Sequence, residues 1–219
     1  MTNPRDMKAF CKDLKKNPFS VITGVNTLFN GLLNQETFRN LDFSNLKLAL
    51  GGGMAVQDAV ADRWEKITNT PLLEAYGLSE TSPAATINPV DGSHQRGSIG
   101  LPMPNTDIKI FDDDKKEVPQ GEPGEIGIKG PQVMKGYWNK PEETAKCFHG
   151  DYFLTGDIGL MKEDGFFKIV DRKKEMINVS GFNVYPNDVE KAISECDKVL
   201  EVGVRGEKTE SGSEFVKAF

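Results

Sequence analysis

Six consecutive residues, Tyr76-Gly77-Leu78-Ser79-Glu80-Thr81, put an aromatic face, a flexible glycine, a carboxylate and a hydroxyl within one short stretch. These are the groups needed to hold a nucleotide base, a magnesium ion and a phosphate oxygen side by side. Glu80 offers the hard oxygens that Mg²⁺ takes, and Thr81 offers a hydroxyl to a phosphate. The bland alternative is a polar loop closed by Pro83, since Ser and Thr are common in loops. Upstream, Gly51-Gly52-Gly53 would let the backbone approach a flat ring or a phosphate closely. No Lys-Ser/Thr pair follows, so this is not a P-loop; a tight strand-to-helix turn is the simpler reading. Downstream, the carboxylate of Thr155-Gly156-Asp157 could accept both hydroxyls of a ribose. Arg172 follows across a hairpin and could donate to the same diol, or simply pair with the carboxylate.

The elements that position these groups come in three textures. Met7, Phe10, Cys11 and Leu14 share one face of a helix over 5–17. Val21-Ile22 suggests a short strand, and 27–33 a second helix. Leu46–Leu50 alternates like a strand and runs into the glycines. Val56, Ala59, Val60, Trp64 and Ile67 mark a helix, and Pro71–Tyr76 returns as a strand. Strand, glycine loop, helix and strand make a βαβ unit. Both candidate loops then leave strand C-terminal ends, where open α/β sheets gather ligands.

Near residue 95 short strands and turns take over. They include Asp107–Phe111, Glu125–Lys129 and a hairpin around Asp164-Gly165, and predict a small β-barrel or sandwich. Pro141 with Glu142 and Glu143 opens a short helix. From Asp171 come a strand over Met176–Val179, a turn at Ser180-Gly181 and a helix from Pro186-Asn187. Asn187 and Glu190 have capping spacing. Alternation returns over 199–204. The expected organisation is an α/β region over 1–94, a β-rich lobe over 95–170 and the opening of a further domain over 171–219. The last stops inside a strand-like pattern, as a truncated chain would.

The 219 residues carry 27 basic and 33 acidic side chains, a net charge of −6. No basic stripe with interleaved aromatics exists, so nucleic acid is not an expected partner. Cys11, Cys147 and Cys196 are widely spaced and odd in number, which suits free thiols in a reducing compartment. Two histidines do not make a histidine metal site. No apolar run has the length of a membrane span, and the N-terminus lacks an apolar signal core. The cytoplasm is the expected location.

Taken together, Gly51-Gly52-Gly53, the hexapeptide, Thr155-Gly156-Asp157 and Asp171-Arg172-Lys173-Lys174 with Ser180-Gly181 resemble the adenylate-forming superfamily. That superfamily contains acyl-CoA synthetases, luciferases and adenylation domains. The segments Thr2–Asp6, Ile22–Asn30 and Val179–Pro186 look like its bacterial long-chain fatty-acid–CoA ligases, and the likeness covers essentially the whole chain. It implies the C-terminal part of an α/β AMP-binding domain with its β-barrel lobe, followed by the start of an α+β lid. It implies two half-reactions: a fatty carboxylate attacks the α-phosphate of ATP, and the thiol of coenzyme A then displaces AMP. The partners are thus a fatty acid, ATP and coenzyme A, with Mg²⁺ as cofactor.

By the same resemblance Gly52 and Gly53 lie beside the adenine and the acyl carbonyl. Tyr76 stacks on adenine, Thr81 meets the α-phosphate, Glu80 holds Mg²⁺, and Asp157 and Arg172 grip the ribose. Lys174 is the hinge of the lid, and Gly181 lines the pantetheine path. The Val25–Leu33 segment is either acyl-tunnel wall or plain core. Peripheral association of the parent with the inner membrane face stays open. The superfamily's phosphate loop would precede this chain and its catalytic lysine would follow Phe219. A fragment inactive by itself is therefore expected. A fatty acyl–AMP ligase fragment and a non-catalytic nucleotide-binding module are the alternatives.

Overall fold

The computed structural model describes residues 6–179, 182–194, 196, 198–199, 202–209 and 214–219. They form two units, one reaching to Asn105 and including Gln132–Met134, the other comprising Thr106–Pro131 and Lys135–Phe219.

The first unit is an α/β layer. Helix α1 (Met7–Lys16) starts where Asp6 accepts the Ala9 N–H at 3.1 Å, and it ends with Lys15 and Lys16 near its C-terminal carbonyls. Its apolar face buries Cys11 against the core, with Met7, Phe10 and Leu14 packed around it. Strand β1 (Val21–Gly24), helices α2 (Asn26–Leu33) and α3 (Glu36–Arg39), and strand β2 (Leu48–Gly51) follow. Helix α4 (Asp58–Thr68) leads to β3 (Leu72–Gly77), and β4 (Ala84–Ile87) and β5 (Leu101–Pro102) complete the sheet. The order is β1-β2-β3-β4-β5, parallel among the first three and antiparallel thereafter. Trp64 of α4 is the keystone. Fully buried, it meets Phe29 of α2 edge-on at 4.9 Å and Phe38 of α3 at 5.5 Å.

The expected βαβ unit is present, with one shift. Val56 lies ahead of α4 rather than in it. Its side chain packs where a Cβ on Gly51 would come within 2.4 Å of it, so the loop folds back over the strand end.

The second unit is rich in β-strands. Strands β6 (Asp107–Phe111), β7 (Gly124–Lys129), β8 (Phe148–His149), β9 (Tyr152–Met161) and β10 (Phe167–Arg172) pair antiparallel. The order is β10-β9-β7-β6, with β8 on β9. Helix α5 (Pro141–Lys146) has Pro141 in its first turn, followed by Glu142 and Glu143. Ile126 and Ile128 of β7 are fully buried. Beyond β10 come the hairpin β11 (Ile177–Val179) with β12 (Phe182–Val184), helix α6 (Pro186–Ser194), and the pair β13 (Val204–Lys208) and β14 (Glu214–Ala218).

Two local expectations change here. Asn187 and Glu190 do not cap each other. The Asn187 N–H donates to Asp171 at 3.1 Å, and Glu190 accepts the Val204 N–H at 2.7 Å. Pro186 already occupies the first helical position, so a side chain from β10 supplies the cap. The alternation over 199–204 becomes a strand only from Val204; residues 200 and 201, like the Ser180-Gly181 turn, lie outside the described residues.

Candidate functional site

In the first unit the register pairs Gly51 with Glu74. That places Gly52 beside Ala75, one residue before Tyr76. A Cβ on Gly52 would approach the Ala75 carbonyl oxygen to 3.2 Å, and Gly53 has φ +77°. The glycine loop and the hexapeptide therefore leave neighbouring parallel strands at the same end, the end where α/β sheets bind ligands. Asn26 holds the far side of the loop by accepting the Gln57 N–H at 3.1 Å. Met54 and Ala55, between these anchors, are exposed.

The hexapeptide turns sharply as β3 ends. A Cβ on Gly77 would lie 1.7 Å from the Pro83 carbonyl oxygen, so only glycine fits. Ser79–Thr81 is a single 3-10 turn. Thr81 is 0% exposed. Its hydroxyl accepts the Leu78 N–H at 2.9 Å and donates to the Pro83 carbonyl at 2.6 Å. The proton a phosphate oxygen would need is thus engaged inside the turn. Ser79, in the same turn, is exposed, and Glu80 is half-buried beside it. The Glu80 carbonyl accepts the Met134 N–H at 2.8 Å, which fixes the backbone under its carboxylate. Tyr76 is half-buried at the strand end. Ser79 is a second hydroxyl of the turn, exposed where that of Thr81 is buried. Thr81 reaches back to the amide three residues earlier, a capping geometry that removes it from the surface.

Among the described residues no three His, Cys, Asp or Glu side chains cluster as a metal cage. One half-buried carboxylate suits Mg²⁺, which keeps its waters and takes one or two carboxylates plus substrate phosphates.

In the second unit Asp157 and Arg172 are register partners on β9 and β10. The Arg172 Nε lies 3.7 Å from the Asp157 carboxylate, whose side chain is only 14% exposed against 57% for the arginine. Gly156, at φ +74°, forms a kink within β9. Its N–H donates to Glu125 at 3.2 Å, and its carbonyl accepts the Lys173 N–H at 2.9 Å. Thr155 accepts the Asp157 N–H at 3.1 Å. Glu125 also accepts from Lys115 at 2.9 Å and Lys173 at 3.1 Å, and Lys173 reaches Asp113 at 2.9 Å. Burial works to raise the Glu125 carboxyl, but hydrogen bonds and charge from Lys115 and Lys173 outweigh it, and the carboxyl sits below its ordinary value. Burial likewise works to lower Lys173, but Asp113 and Glu125 hold its ammonium above the ordinary range. Lys174 is exposed in the turn that follows. Gly181 lies outside the described residues.

The first unit thus carries a glycine loop and an acidic turn at the C-terminal end of its parallel strands, and the second carries the Asp157–Arg172 pair. The AMP-binding enzyme family matches residues 1–138, and the chain belongs to that family. It is 55% identical over 219 residues to the long-chain-fatty-acid–CoA ligase of Yersinia pestis, covering 100% of this chain and 39% of that protein. ATP-bound MatB from Rhodopseudomonas palustris superposes with a TM-score of 0.86 at 33% identity, covering 97% of this chain and 42% of that one. O-succinylbenzoate coenzyme A synthetase (MenE) of Bacillus subtilis, in complex with ATP and magnesium, gives 0.83 at 26% identity, covering 97% and 44%. The fold is thus the mixed α/β fold expected of an adenylate-forming enzyme. No described helix is long and apolar enough to cross a membrane.

Proposed function

We propose that this chain is part of an ATP-dependent long-chain fatty-acid–CoA ligase. In it, ATP and a fatty acid form an acyl-adenylate, and coenzyme A then takes the acyl group. The observation that carries this reading is the convergence of the glycine loop and the acidic turn on one end of the sheet, in a chain alike from end to end to a named ligase.

Each residue has a task in keeping with its surroundings. Gly52 and Gly53 leave room for the adenine and for the acyl carbonyl, and the half-buried Tyr76 supplies a stacking face. Glu80 would hold Mg²⁺, which would neutralise charge on the phosphates. Ser79, exposed beside Glu80, offers the hydroxyl to the α-phosphate, while Thr81 holds the turn that presents both. This moves the phosphate contact expected of Thr81 by two residues. Asp157, already oriented by Arg172, accepts the ribose hydroxyls. Lys174 is the pivot of the lid, and Gly181 borders the coenzyme A arm. Peripheral contact with a membrane belongs to the intact enzyme.

The test is a graft. This chain replaces the corresponding segment of the Yersinia pestis ligase, and acyl-CoA formation from palmitate, ATP and coenzyme A is followed. A folded graft that makes acyl-CoA supports the reading. A folded graft that binds ATP yet forms no adenylate contradicts it.

A further inference from the structure

Glu74 is a titratable, half-buried side chain that the proposed reaction does not use. It lies on β3, two residues before Tyr76. One carboxylate oxygen accepts the Gly97 N–H at 2.8 Å, and the other accepts the Val56 N–H at a longer 3.4 Å. Val56 lies at the far end of the glycine loop, before α4; Gly97 lies in the loop that leads from Asn88 to β5. The Glu74 main chain holds the second loop as well. Its carbonyl accepts the Asn88 N–H at 3.0 Å and the Asn88 side-chain amide at 3.1 Å. Asn88 in turn accepts the Gln95 N–H at 2.9 Å.

We infer that Glu74 is a positioning residue that fastens two loops, Gly52–Val56 and His94–Gly97, to the C-terminal end of β3 with one carboxylate. Two backbone N–H donors face its two oxygens, so the task needs two acceptors on one planar group. A glutamine would turn an NH₂ toward one of the two amides and leave that amide unpaired. The carboxylate is kept at a cost. Burial pushes its pKa above the ordinary value, the Gly97 and Val56 amides only partly oppose this, and Asp58 adds to it. The other charged groups of α4 and the second loop are Asp62 and Glu65, both paired with Arg96, Arg63, which donates to Asn30, Asn34 and the Leu33 carbonyl, Lys66, Asp91, which accepts from Ser93, and His94, whose Nδ1 is buried without a hydrogen-bond partner. No cation in this set bonds to Glu74. Proton uptake by Glu74 therefore removes the charge that strengthens both bonds, and both loops loosen at once.

This inference rests on the reading of the glycine loop as ligand-facing, but its test uses no ligand, so the two can fail separately. Amide shifts of the ¹⁵N-labelled chain are followed between about pH 4 and 8. Val56 and Gly97 are expected to move with one shared midpoint above 4.5. Gln57, held by Asn26, is expected not to follow them. Asp58→Asn should lower that midpoint and leave it shared, whereas Glu74→Gln should abolish it. In Glu74→Gln, amide exchange at Val56 or Gly97 should quicken about tenfold or more, as expected for loss of a local hydrogen bond. Separate midpoints for the two amides, or a shared shift that survives Glu74→Gln, overturns the inference. If Glu74→Gln does not fold, the parent chain still decides, because the absence of a shared midpoint there is itself a refutation.

Discussion

The hexapeptide contains two hydroxyls, and the structure separates their work sharply enough to measure. Thr81→Val keeps the shape of a side chain that is 0% exposed and deletes only its hydrogen bonds. The Leu78 N–H and the Pro83 carbonyl then lose partners at 2.9 and 2.6 Å. A buried polar group left unpaired costs about 1–3 kcal/mol, so with partial relaxation the pair costs roughly 2–4 kcal/mol. For a chain of this length that lowers the melting temperature by roughly 5–15 °C. Ser79→Ala removes an exposed hydroxyl and should leave stability within about 0.5 kcal/mol. Circular dichroism melts of the two variants supply the first half of the comparison. ATP–pyrophosphate exchange in the grafted ligase supplies the second, where Ser79→Ala should lose about tenfold or more, as removal of a donor to reacting phosphate does. A Thr81→Val variant that melts within about 2 °C of the parent would refute the reasoning, as would a Ser79→Ala graft with undiminished exchange.

Other outcomes follow from the same geometry. Glu125→Gln should cost about 1–3 kcal/mol at pH 7, because it removes the charge facing Lys115 and Lys173 while both lysines can still reach water. The folded-state carboxyl lies below its ordinary 4.5, so its stabilisation is complete above pH 4.5 and is lost as pH falls through the folded value. Urea titrations of parent and variant should therefore converge on acidification. Gly77→Ala should prevent the chain from folding to the same state, since its Cβ would lie 1.7 Å from a carbonyl oxygen; a native-like melt would refute that. In the graft, Glu80→Ala should lower pyrophosphate exchange by about 10²–10³-fold with little change in melting. Lys174→Pro, which fixes φ at the pivot, should spare exchange and block thioester formation; equal loss of both half-reactions would remove the hinge assignment.

The parts of the fold that repeat a simple period were legible in the sequence. The apolar spacing of Met7, Phe10, Cys11 and Leu14 marked α1, and the run from Leu46 through the glycines to Tyr76 marked the βαβ unit, whose first strand begins at Leu48. What escaped depended on contacts distant in sequence. Strand β4 has little alternation and exists because the turn at Gly77–Pro83 returns the chain along β3. Helix α3 has four residues and is held by burial of Phe38 against Trp64. The cap of α6 comes from Asp171, a partner sixteen residues away that no capping pattern names. In the site, residue types pointed to the acidic turn and to the Asp157–Arg172 pair. They did not reveal which hydroxyl is buried, since a three-residue 3-10 turn sends neighbouring side chains to different faces. Nor did they single out Glu74 or Glu125, which look like ordinary surface acids until two backbone amides or two lysines are seen to converge on them.

The most direct measurement is ATP–pyrophosphate exchange with palmitate in the Yersinia pestis ligase carrying this chain, run beside the same graft with Glu80→Ala. Exchange in the graft, lowered about 10²–10³-fold by Glu80→Ala while the melting temperature holds, is the expected result. A folded graft without exchange, or one in which Glu80→Ala changes nothing, would contradict the assignment of the acidic turn to nucleotide and metal.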